Sequence, residues 1–229
     1  MMKVSIVTPT YNECQNLPKL AEELFGIVAK DPDIDLELIV VDDNSPDGTG
    51  EVADTLAKSF PIKVIHRKGK MGLGSAVMEG FALSERNYLG VMDADLSHDP
   101  IIIPEMISSL KDNDIVIGSR FNAESTVENW HFVRKLTSQA GVWLARRLTK
   151  VSDPLSGYFF LRRSALEGVS LTSPGYKILL EILVKGKYSK VKEIPFRFRS
   201  REFSTSKLNS QEYFLFIKQL LVFSWRKKP

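Results

Sequence analysis

The sequence predicts an α/β protein built as one domain on a mostly parallel sheet with helices on both faces. Two observations carry this prediction. Short apolar runs alternate with stretches whose apolar residues recur at helical spacing, and this order persists from residue 4 to residue 121. No stretch rich in Gly, Ser or Pro separates the first half of the chain from the second. Repeated β-α-β order is typical of a parallel sheet that helices cover on both faces.

The first half of the chain supplies the regular part of this pattern. Its predicted strands are VSIVTPT (4–10), LELIVVDD (36–43), IKVIHR (62–67), YLGVMD (88–93) and DIVIGSRF (114–121). The predicted helices between them cover residues 16–30, 48–60, 74–86 and 101–113. The second half is less regular, with helices predicted over 132–148, 178–186 and 212–225 and strands over 156–163 and 190–199.

The bulk composition excludes several classes of protein. The chain has 229 residues, is 43% hydrophobic and 26% charged, and carries a formal net charge of +3, which is too mild to indicate a nucleic-acid partner. The N-terminal apolar run is too short for a signal peptide, and no run of about 20 apolar residues predicts a membrane span. The single cysteine, Cys14, fits a reducing compartment; we interpret it as a small residue that opens a helix rather than as a nucleophile.

Polar residues follow three predicted strands at the point where each ends. They are the segments 9–13 (PTYNE), 42–45 (DDNS) and 93–95 (DAD). Each segment alone would be typical of a polar turn. Ligands in open α/β sheets bind outside the carboxyl ends of the strands, so the three together predict one ligand-binding crevice.

Asp93 and Asp95 are the candidate metal ligands. Side chains two apart in extended chain point the same way, so both carboxylates can face one Mg²⁺ or Mn²⁺ ion. Zinc is not expected, because one cysteine and three scattered histidines do not supply its usual ligands. The segment GKMGLGS (69–75) matches neither the P-loop nor the full dinucleotide fingerprint. We expect His98 to be an exposed loop residue, with a supporting role beside the metal as the alternative.

The ordered motifs of the chain resemble the inverting family 2 glycosyltransferases of GT-A fold, and more narrowly the dolichol-phosphate mannose synthases. The motifs are VSIVTPTYNE, VVDDNSPDGT, GLGSAVMEGF, VMDADLSHDP, IGSRF, VENWHFVRKL, SDPLSGYFFLRR and GYKILLEILVKGKYSKVKEIPFRF. The resemblance covers nearly the whole chain. It implies that residues 1–211 form the GT-A catalytic domain, with a nucleotide-sugar-binding half (1–121) and an acceptor-side half (122–211).

The resemblance implies a metal-dependent, inverting transfer of mannose from GDP-mannose to dolichyl or another polyprenyl phosphate, with Mg²⁺ or Mn²⁺ as cofactor. Three alternatives stay open. The donor could instead be UDP-glucose, which would give a polyprenyl-phosphate glucose. The enzyme could be a nucleotidyltransferase that makes sugar nucleotides. The chain could also be a non-catalytic subunit that binds a nucleotide sugar.

The resemblance also implies the donor-binding residues. The base and ribose pocket is expected to be lined by Pro9, Tyr11 and Glu13, with Val41 and Asp43 on its other side. The donor diphosphate and its metal are expected to meet Asp93, Ala94 and Asp95. Ser97 stands where family members often have a glutamine in the metal shell, so we include it among the metal-binding candidates.

Basic residues complete the implied site. Those expected around the donor phosphates are Arg120, Lys177, Arg201 and Lys207, and the residues expected to be catalytic are Asp95, Arg120 and Arg201. Arg134 and Ser138 are the acceptor-phosphate candidates, with a plain helix surface as the alternative. Asp153 is either a turn-former or an acceptor-side residue.

The C-terminal segment 212–229 is an amphipathic helix that we expect to lie at a membrane surface. It ends in a tryptophan followed by three basic residues, Arg226 to Lys228, which is typical of an interfacial segment. The alternative is a helix packed on the sheet, with Phe214, Ile217 and Leu221 on its core face. One core face does not require Phe216, Leu220, Phe223 and Trp225 as well, which favours the membrane surface. We expect peripheral attachment to the cytoplasmic face of a membrane, with a small membrane subunit as a further candidate partner.

Overall fold

The computed structural model describes the backbone of residues 1–121, 125–127, 132–172, 177–199 and 210–226. Side chains are described for the same residues apart from 127, 132–138, 210–214 and 225–226. The strands in these ranges are β1 (Met2–Thr10), β2 (Ile34–Asp42), β3 (Ile62–His66), β4 (Tyr88–Val91), β5 (Ile115–Ser119), β6 (Thr126–Val127), β7 (Phe159–Arg162), β8 (Val191–Pro195) and β9 (Arg197–Phe198). The helices are α1 (Asn16–Val28), α2 (Thr49–Leu56), α3 (Leu73–Leu83), α4 (Ile103–Ser109), α5 (Phe132–Arg146), α6 (Ile178–Lys185) and α7 (Ser210–Arg226).

The main sheet contains seven strands in the described part of the chain, in the order β3-β2-β1-β4-β7-β5-β8. All of its neighbouring strands are parallel except at β7, which runs antiparallel to both β4 and β5. The predicted class, an α/β domain on a mostly parallel sheet, is confirmed. Because β7 runs the other way, the residues that precede it lie at the edge where its parallel neighbours end.

The two faces of the sheet carry separate helices because consecutive strand residues point to opposite sides. Ile6 packs in a cluster with residues of α1, α2 and α4, whereas the next residue, Val7, packs in a cluster with residues of α3 and α6. Leu38 and Ile39 on the neighbouring strand divide in the same way. This division explains why the predicted strands read as continuous apolar runs.

Most predicted elements are shorter in the structure, and two of them are also divided. The strand predicted over 190–199 is divided at Phe196 into β8 and β9, and β9 pairs with β6 as a two-stranded parallel sheet. Phe196, between the two strands, is buried and packs against the rings of Tyr158 and Phe198. The helix predicted over 101–113 starts as a 3₁₀ turn at Pro100–Ile102 and continues as the shorter α4.

The C-terminal helix α7 does pack on the core, but with a different face from the one considered in the sequence. Ile217 and Leu221, the expected core residues of that alternative, are 54% and 59% exposed, whereas Phe216, Leu220 and Phe223 are buried. The three buried residues pack in a cluster with residues of α5 and α6, and the side chains of Phe214 and Trp225 lie outside the described residues. Both candidate core faces are apolar, so the sequence of the helix does not distinguish them and only the neighbouring helices do. None of the helices in the described ranges is both long and apolar enough to cross a bilayer.

Candidate active site

The strand ends that were predicted to share a crevice are direct neighbours. Strand β1 pairs in parallel with β2 on one side and with β4 on the other. Hydrogen bonds join the first two ends: the Asp43 N–H donates to the Thr10 carbonyl (3.0 Å), and the Asn12 N–H donates to Ser45 Oγ (3.0 Å). The three polar segments therefore lie along one edge of the sheet, as predicted.

The backbone adopts the left-handed conformation at each of these three strand ends. Among the described residues other than glycine, positive φ occurs at Asn12 (57°), Asn44 (57°) and Leu96 (61°), one after each of β1, β2 and β4. Asparagine tolerates this left-handed conformation, but a leucine there is unfavourable. Strain of this kind is typical of ligand-binding and catalytic loops, where it places side chains that relaxed turns would direct elsewhere.

Asp95 is buried and held by the residue two positions later. Its Oδ1 accepts hydrogen bonds from the Ser97 N–H (3.1 Å) and from Ser97 Oγ (2.5 Å). Ala94, between the two candidate metal ligands, is also buried. Ser97 was expected to act at the metal beside Asp95, and its hydroxyl does contact the Asp95 carboxylate.

Asp93 is the more exposed of the two carboxylates and lies beside His98. The exposed fraction of the Asp93 side chain is 31%. The prediction that His98 is an exposed loop residue was wrong, because His98 is only 3% exposed. Its Nδ1 accepts the Asp93 N–H (3.1 Å), and its ring stacks on Tyr158 with a centroid distance of 4.8 Å. The hydrogen bond and the stacking together remove the imidazole from solvent.

Arg120 follows β5 and forms a buried ion pair with Asp153. Its Nε and Nη2 donate to the two carboxylate oxygens at 2.8 Å each, and its backbone N–H donates as well (3.1 Å). Burial by itself would raise the pKa of the Asp153 carboxyl, but the charge and hydrogen bonds of Arg120 outweigh it and hold that pKa below its ordinary value. Asp153 is thus an ionised partner of Arg120 and more than a turn-former.

The charge of the candidate metal ligand Asp93 also affects the pKa of Arg120. Burial disfavours the charged guanidinium, yet the pKa of Arg120 is raised, because Asp153 and then Asp93 stabilise its positive charge. The guanidinium lies against the rings of Phe121 and Phe198, at 5.6 and 5.8 Å from their centroids. A phosphate that bound beside Asp93 would therefore meet a fixed cation.

Lys177 lies on the same side of the site, at the residue before α6. Its Nζ donates to the Leu155 carbonyl (3.1 Å), and its charge contributes to the low pKa of Asp153. Its own carbonyl accepts a hydrogen bond from Gln219 of α7 (3.4 Å). The C-terminal helix is thereby connected to the basic side of the site.

The predicted base and ribose pocket lies at the ends of β1 and β2. Pro9 and Tyr11 are half-buried there, and Lys70 Nζ lies 4.7 Å from the centroid of the Tyr11 ring. Glu13 is buried, and its carboxylate accepts a hydrogen bond from Asn16 Nδ2 (2.6 Å). Val41 lies next to this edge on β2, but its side chain is buried in the core cluster that packs on α3.

Asp43, on the other side of that pocket, is paired with Arg67, which sequence reasoning missed. The Arg67 guanidinium forms a buried ion pair with Asp43 and also donates to Ser75 Oγ (2.7 Å) and to the Gly72 carbonyl (3.3 Å). The backbone N–H groups of Met71 and Gly72 complete the surroundings of the Asp43 carboxylate, at 3.3 and 3.4 Å. Arg67 follows β3, so the strand-end rule that found the other three segments would have found it too.

Four predicted residues are only partly described or lie outside the description. Arg201 and Lys207 are outside the described residues, and the side chains of Arg134 and Ser138 on α5 are as well. Cys14, the alternative nucleophile, is described. A hydrogen bond to Asp47, more than burial, raises the pKa of the Cys14 thiol, which disfavours the reactive thiolate.

The chemistry of this edge suits a divalent cation together with phosphate groups. Asp93 and Asp95 offer carboxylate oxygens, which Mg²⁺ and Mn²⁺ prefer. No group of three or more His, Cys, Asp or Glu residues suited to a metal ion occurs in the described ranges. An ion held by the two carboxylates would complete its coordination with substrate oxygens and water, which is the usual arrangement for Mg²⁺ at phosphate-transfer sites.

Sequence comparison finds close relatives along nearly the whole chain. The dolichol-phosphate mannosyltransferase of Pyrococcus furiosus is 45% identical over 225 residues, which are 96% of this chain and 63% of that protein. The protein of the same name from Saccharomyces cerevisiae is 35% identical over 98% of this chain and 89% of its own length. The one from Mycosarcoma maydis is 33% identical over 95% and 77%. The chain thus spans less than two thirds of the archaeal relative.

Structural comparison finds the same fold in more distant proteins. Glucosyl-3-phosphoglycerate synthase from Mycobacterium tuberculosis, solved with Mn²⁺, UDP and glucosyl-3-phosphoglycerate, superposes with a TM-score of 0.68 at 20% identity, over 98% of this chain and 79% of that chain. TarS residues 1–349 from S. aureus superposes with a TM-score of 0.61 at 16% identity, over 97% and 65%. These likenesses confirm the predicted GT-A fold. The family model for glycosyl transferase family 2 matches residues 5–170, and with the fungal relatives it shows that the chain belongs to this family.

Proposed function

We propose that this chain transfers mannose from GDP-mannose to the phosphate of dolichyl or another polyprenyl phosphate, with inversion at the sugar carbon. One observation carries the proposal: the relatives that align with nearly the whole chain are dolichol-phosphate mannosyltransferases in three organisms. The carboxylates at the end of β4, with Arg120 beside them, supply the groups that this chemistry needs. The mannosyl donor, the acceptor and the activity of the whole protein are all part of the proposal.

The residues present fit a divalent cation at Asp93 and Asp95. A bound Mg²⁺ or Mn²⁺ would neutralise charge on the diphosphate of the donor as it leaves. Solved neighbours of the same fold contain Mn²⁺ or Mg²⁺ together with UDP, which supports a metal at this edge. We assign Ser97 to the same group, through the hydrogen bonds that it donates to Asp95.

The basic residues of the chain bind and orient the phosphates in this proposal. Arg120 is fixed by Asp153 on one side, so it can meet a phosphate without first ordering its own side chain. Lys177 adds a second cation on the same side, and Arg201 and Lys207 are assigned to the same phosphates. We propose Asp95, Arg120 and Arg201 as the catalytic group.

The acceptor needs no strong general base. The second pKa of a phosphomonoester is about 6, so its oxygen is largely anionic at neutral pH and can attack the sugar carbon directly. The new bond joins that oxygen to the sugar carbon, and the bond from the carbon to the donor diphosphate breaks. The task left to the protein is to bring two anions together, for which we assign Arg134 and Ser138 to the acceptor phosphate.

The donor pocket follows from the ends of β1 and β2. We assign Pro9, Tyr11 and Glu13 to the base and ribose, with Asp43 and the strand at Val41 on the other side. In this division, residues 1–121 form the nucleotide-sugar-binding half of a catalytic domain and residues 122–211 the acceptor-side half. Residues 212–229 form the C-terminal helical segment.

A lipid acceptor requires the chain to approach a membrane. Apolar side chains are exposed on α7 at Ile217, Leu221 and Val222, and on α5 at Trp143, whose ring has Arg147 4.0 Å from its centroid. Apolar residues with aromatic and basic neighbours suit a membrane surface. We propose peripheral attachment at the cytoplasmic face through these exposed residues, directly or with a small membrane subunit.

The test is a transfer assay with labelled donor, polyprenyl phosphate and Mg²⁺ or Mn²⁺. Labelled lipid is expected from GDP-mannose, and it should disappear in excess chelator. Asp95→Ala should lower turnover by at least about a hundredfold, which corresponds to roughly 2.7 kcal/mol of lost transition-state stabilisation. The matched control, Asp112→Ala on an exposed turn, should retain activity.

Three results would contradict the proposal. Labelled lipid from UDP-glucose but not from GDP-mannose would favour the glucosyltransferase alternative. Donor binding without turnover would indicate a non-catalytic subunit. Unchanged activity of Asp95→Ala, with its fold checked by circular dichroism, would remove Asp95 from the mechanism.

A further inference from the structure

The turn that follows β4 folds back on the two candidate metal ligands. Leu96 is buried and has a φ of 61°, a conformation that a leucine side chain disfavours. The reversal at Leu96 brings the next two side chains, Ser97 and His98, back onto Asp95 and Asp93 respectively. The strain is therefore accompanied by two specific contacts, which is the situation in which strained turns persist.

His98 accepts a hydrogen bond from the Asp93 backbone and lies beside the Asp93 carboxylate. Nδ1 accepts the Asp93 N–H at 3.1 Å, and Nε2 lies 3.8 Å from Asp93 Oδ2. A neutral imidazole that accepts at Nδ1 carries its proton on Nε2. The ring stacks on Tyr158 at an interplanar angle of 7°, with Phe196 and Phe198 edge-on at 5.8 and 6.0 Å, so it has little freedom to turn.

A glycine, Gly157, packs against the Asp93 carboxylate. A Cβ atom on Gly157 would lie 3.2 Å from Asp93 Oδ2 and 3.4 Å from Oδ1, so the carboxylate packs against the bare glycine backbone. The same Cβ would lie 3.5 Å from Cε1 of His98. Imidazole and glycine together restrict the rotation of this carboxylate.

Ser97 has the corresponding contact with Asp95. It is fully buried, and both its N–H (3.1 Å) and its Oγ (2.5 Å) donate to the same oxygen, Oδ1. A serine side chain is also two atoms shorter in reach than the glutamine that the family resemblance associates with this position. The geometry therefore indicates that Ser97 acts by holding Asp95 and not by binding the metal itself.

We infer that Ser97 and His98 are positioning residues, which fix the Asp95 and Asp93 carboxylates in the orientation that receives a divalent cation. The inference rests on the proposed metal at Asp93 and Asp95. Groups that hydrogen-bond to metal ligands orient them, and their loss typically lowers metal affinity by about 10- to 100-fold.

The test measures Mn²⁺ affinity in the full chain with GDP present, from the paramagnetic resonance signal of free Mn²⁺. His98→Phe keeps the ring that packs on Tyr158 but loses both nitrogens. His98→Asn loses the ring but keeps an oxygen near the place of Nδ1, able to accept the Asp93 N–H. If His98 positions Asp93, His98→Phe should bind Mn²⁺ about 10-fold or more weakly and His98→Asn should bind more tightly than His98→Phe. The opposite order would show a packing role and overturn the inference for His98.

Ser97→Ala is the corresponding test at the other carboxylate, with an expected loss of about 10-fold in Mn²⁺ affinity. Its matched control is Ser84→Ala, which removes another buried serine hydroxyl. The Ser84 hydroxyl forms a hydrogen bond of 2.6 Å with the Ser5 hydroxyl and has no part in this turn. The control should bind Mn²⁺ as the wild type does. An equal loss in both variants would show a general effect of removing a buried hydroxyl and would overturn the inference for Ser97.

Failure of this inference and failure of the proposed metal site give different results. If Asp95→Ala and the wild type bind Mn²⁺ equally, the metal site itself is wrong. If Asp95→Ala loses binding while Ser97→Ala and His98→Phe keep it, only the positioning roles are wrong. A separate measurement needs no metal: ¹⁵N spectra of the wild type should show His98 protonated at Nε2 and accepting at Nδ1. A proton on Nδ1 would overturn the role of His98 even if its variants do not fold.

Discussion

At the scale of single residues, the candidate site contains two pairs of opposite charges that are largely buried. Asp153 has no exposed surface and the Arg120 side chain is 14% exposed. Arg67 and Asp43 form a second such pair. Burying two charges costs desolvation energy that their attraction only partly returns, so such pairs are weak evidence of stabilisation. They do fix the direction of each side chain, which is what a phosphate-binding arginine requires.

The first prediction concerns Asp153→Asn. The substitution leaves the Arg120 charge buried without its ionised partner, so it should lower the free energy of unfolding by about 3 kcal/mol. It should also lower transfer by at least about 10-fold, because Arg120 loses the bidentate contact that orients it. Urea unfolding and the transfer assay measure the two effects.

A double variant separates the two contributions. Arg120→Met combined with Asp153→Asn removes both charges, so stability should recover by about 1 kcal/mol or more over Asp153→Asn alone. Activity should not recover, since no guanidinium remains. Recovery of activity in the double variant would show that Arg120 does not contact the donor phosphates.

The second prediction concerns pH and a carboxylate away from the site. Asp114 accepts hydrogen bonds from the Ser189 N–H (2.8 Å) and the Lys190 N–H (3.0 Å). These bonds, the Ser189 N–H above all, hold the pKa of Asp114 below its ordinary value despite partial burial. A carboxyl with a lowered pKa stabilises the fold above its unfolded pKa of about 3.9, and this contribution is lost as the pH falls through the lower folded value.

Asp114→Asn should therefore lower the free energy of unfolding by about 1 kcal/mol at pH 7, and the difference from the wild type should shrink below about pH 4. The measurement is urea unfolding at a series of pH values. Asp112→Asn, on the exposed turn two residues earlier, is the control and should change little at any pH. A difference for Asp114→Asn that stays constant down to pH 3 would contradict the prediction.

At the scale of elements, helix α7 combines a core face with an exposed apolar face. Phe216, Leu220 and Phe223 pack with residues of α5 and α6, and an ideal Cβ on Gly141 of α5 would lie 3.4 Å from the Phe216 ring. On the other side, Ile217 and Leu221 are exposed. Deleting the whole segment would therefore remove part of the core, so substitutions on the exposed face are the better test of membrane binding.

The third prediction concerns that face. Ile217→Ser combined with Leu221→Ser should weaken binding to vesicles that contain anionic lipid by about 10-fold, because two apolar side chains no longer enter the interface. The melting temperature should stay within a few degrees, since both residues are exposed. Vesicle co-sedimentation and thermal unfolding measure the two quantities.

Two controls locate the effect. Phe216→Ala, on the core face of the same helix, should lower the free energy of unfolding by about 3–5 kcal/mol. Ile101→Ser changes an exposed apolar residue in the 3₁₀ turn before α4 and should leave vesicle binding unchanged. Equal loss of binding in Ile101→Ser and in the α7 variant would contradict a membrane role for α7.

At the scale of the whole molecule, the antiparallel strand β7 joins the two halves of the chain. It comes from the predicted acceptor half, lies between β4 and β5 of the predicted donor half, and pairs with both. Gly90 of β4 pairs with Phe160 of β7, and a Cβ on Gly90 would lie 2.4 Å from the Phe160 ring. The aromatic ring thus occupies the space that a side chain on β4 would need, next to the strand that ends in Asp93.

The fourth prediction concerns this contact. Gly90→Ala should lower the free energy of unfolding by about 1–3 kcal/mol through overpacking against Phe160. The matched substitution Gly26→Ala in α1 meets no atom within 4 Å and should raise stability by about 0.5–1 kcal/mol, because alanine favours helix more than glycine does. Denaturant unfolding measures both. A neutral Gly90→Ala would show that β7 can move away from β4.

Patterns along the chain suffice to predict the fold class, the order of the main strands and helices, and the edge of the sheet at which polar residues gather. These follow from local period and from the rule that parallel strands end together, both of which are readable along the chain. The two-residue spacing of Asp93 and Asp95, which predicts that both carboxylates face the same way, could be recognised for the same reason.

The residues that meet across that edge are set by packing in three dimensions. The direction of β7 cannot be predicted from its own sequence, since a buried strand shows the same apolar pattern whether it runs parallel or antiparallel to its neighbours. Its antiparallel direction brings Asp153 to Arg120 and Gly157 to Asp93 from more than thirty residues away. The burial of His98 and the choice of core face on α7 likewise depend on neighbours distant in sequence, Tyr158 and α5. Such pairings are set by packing between elements, which no local spacing records.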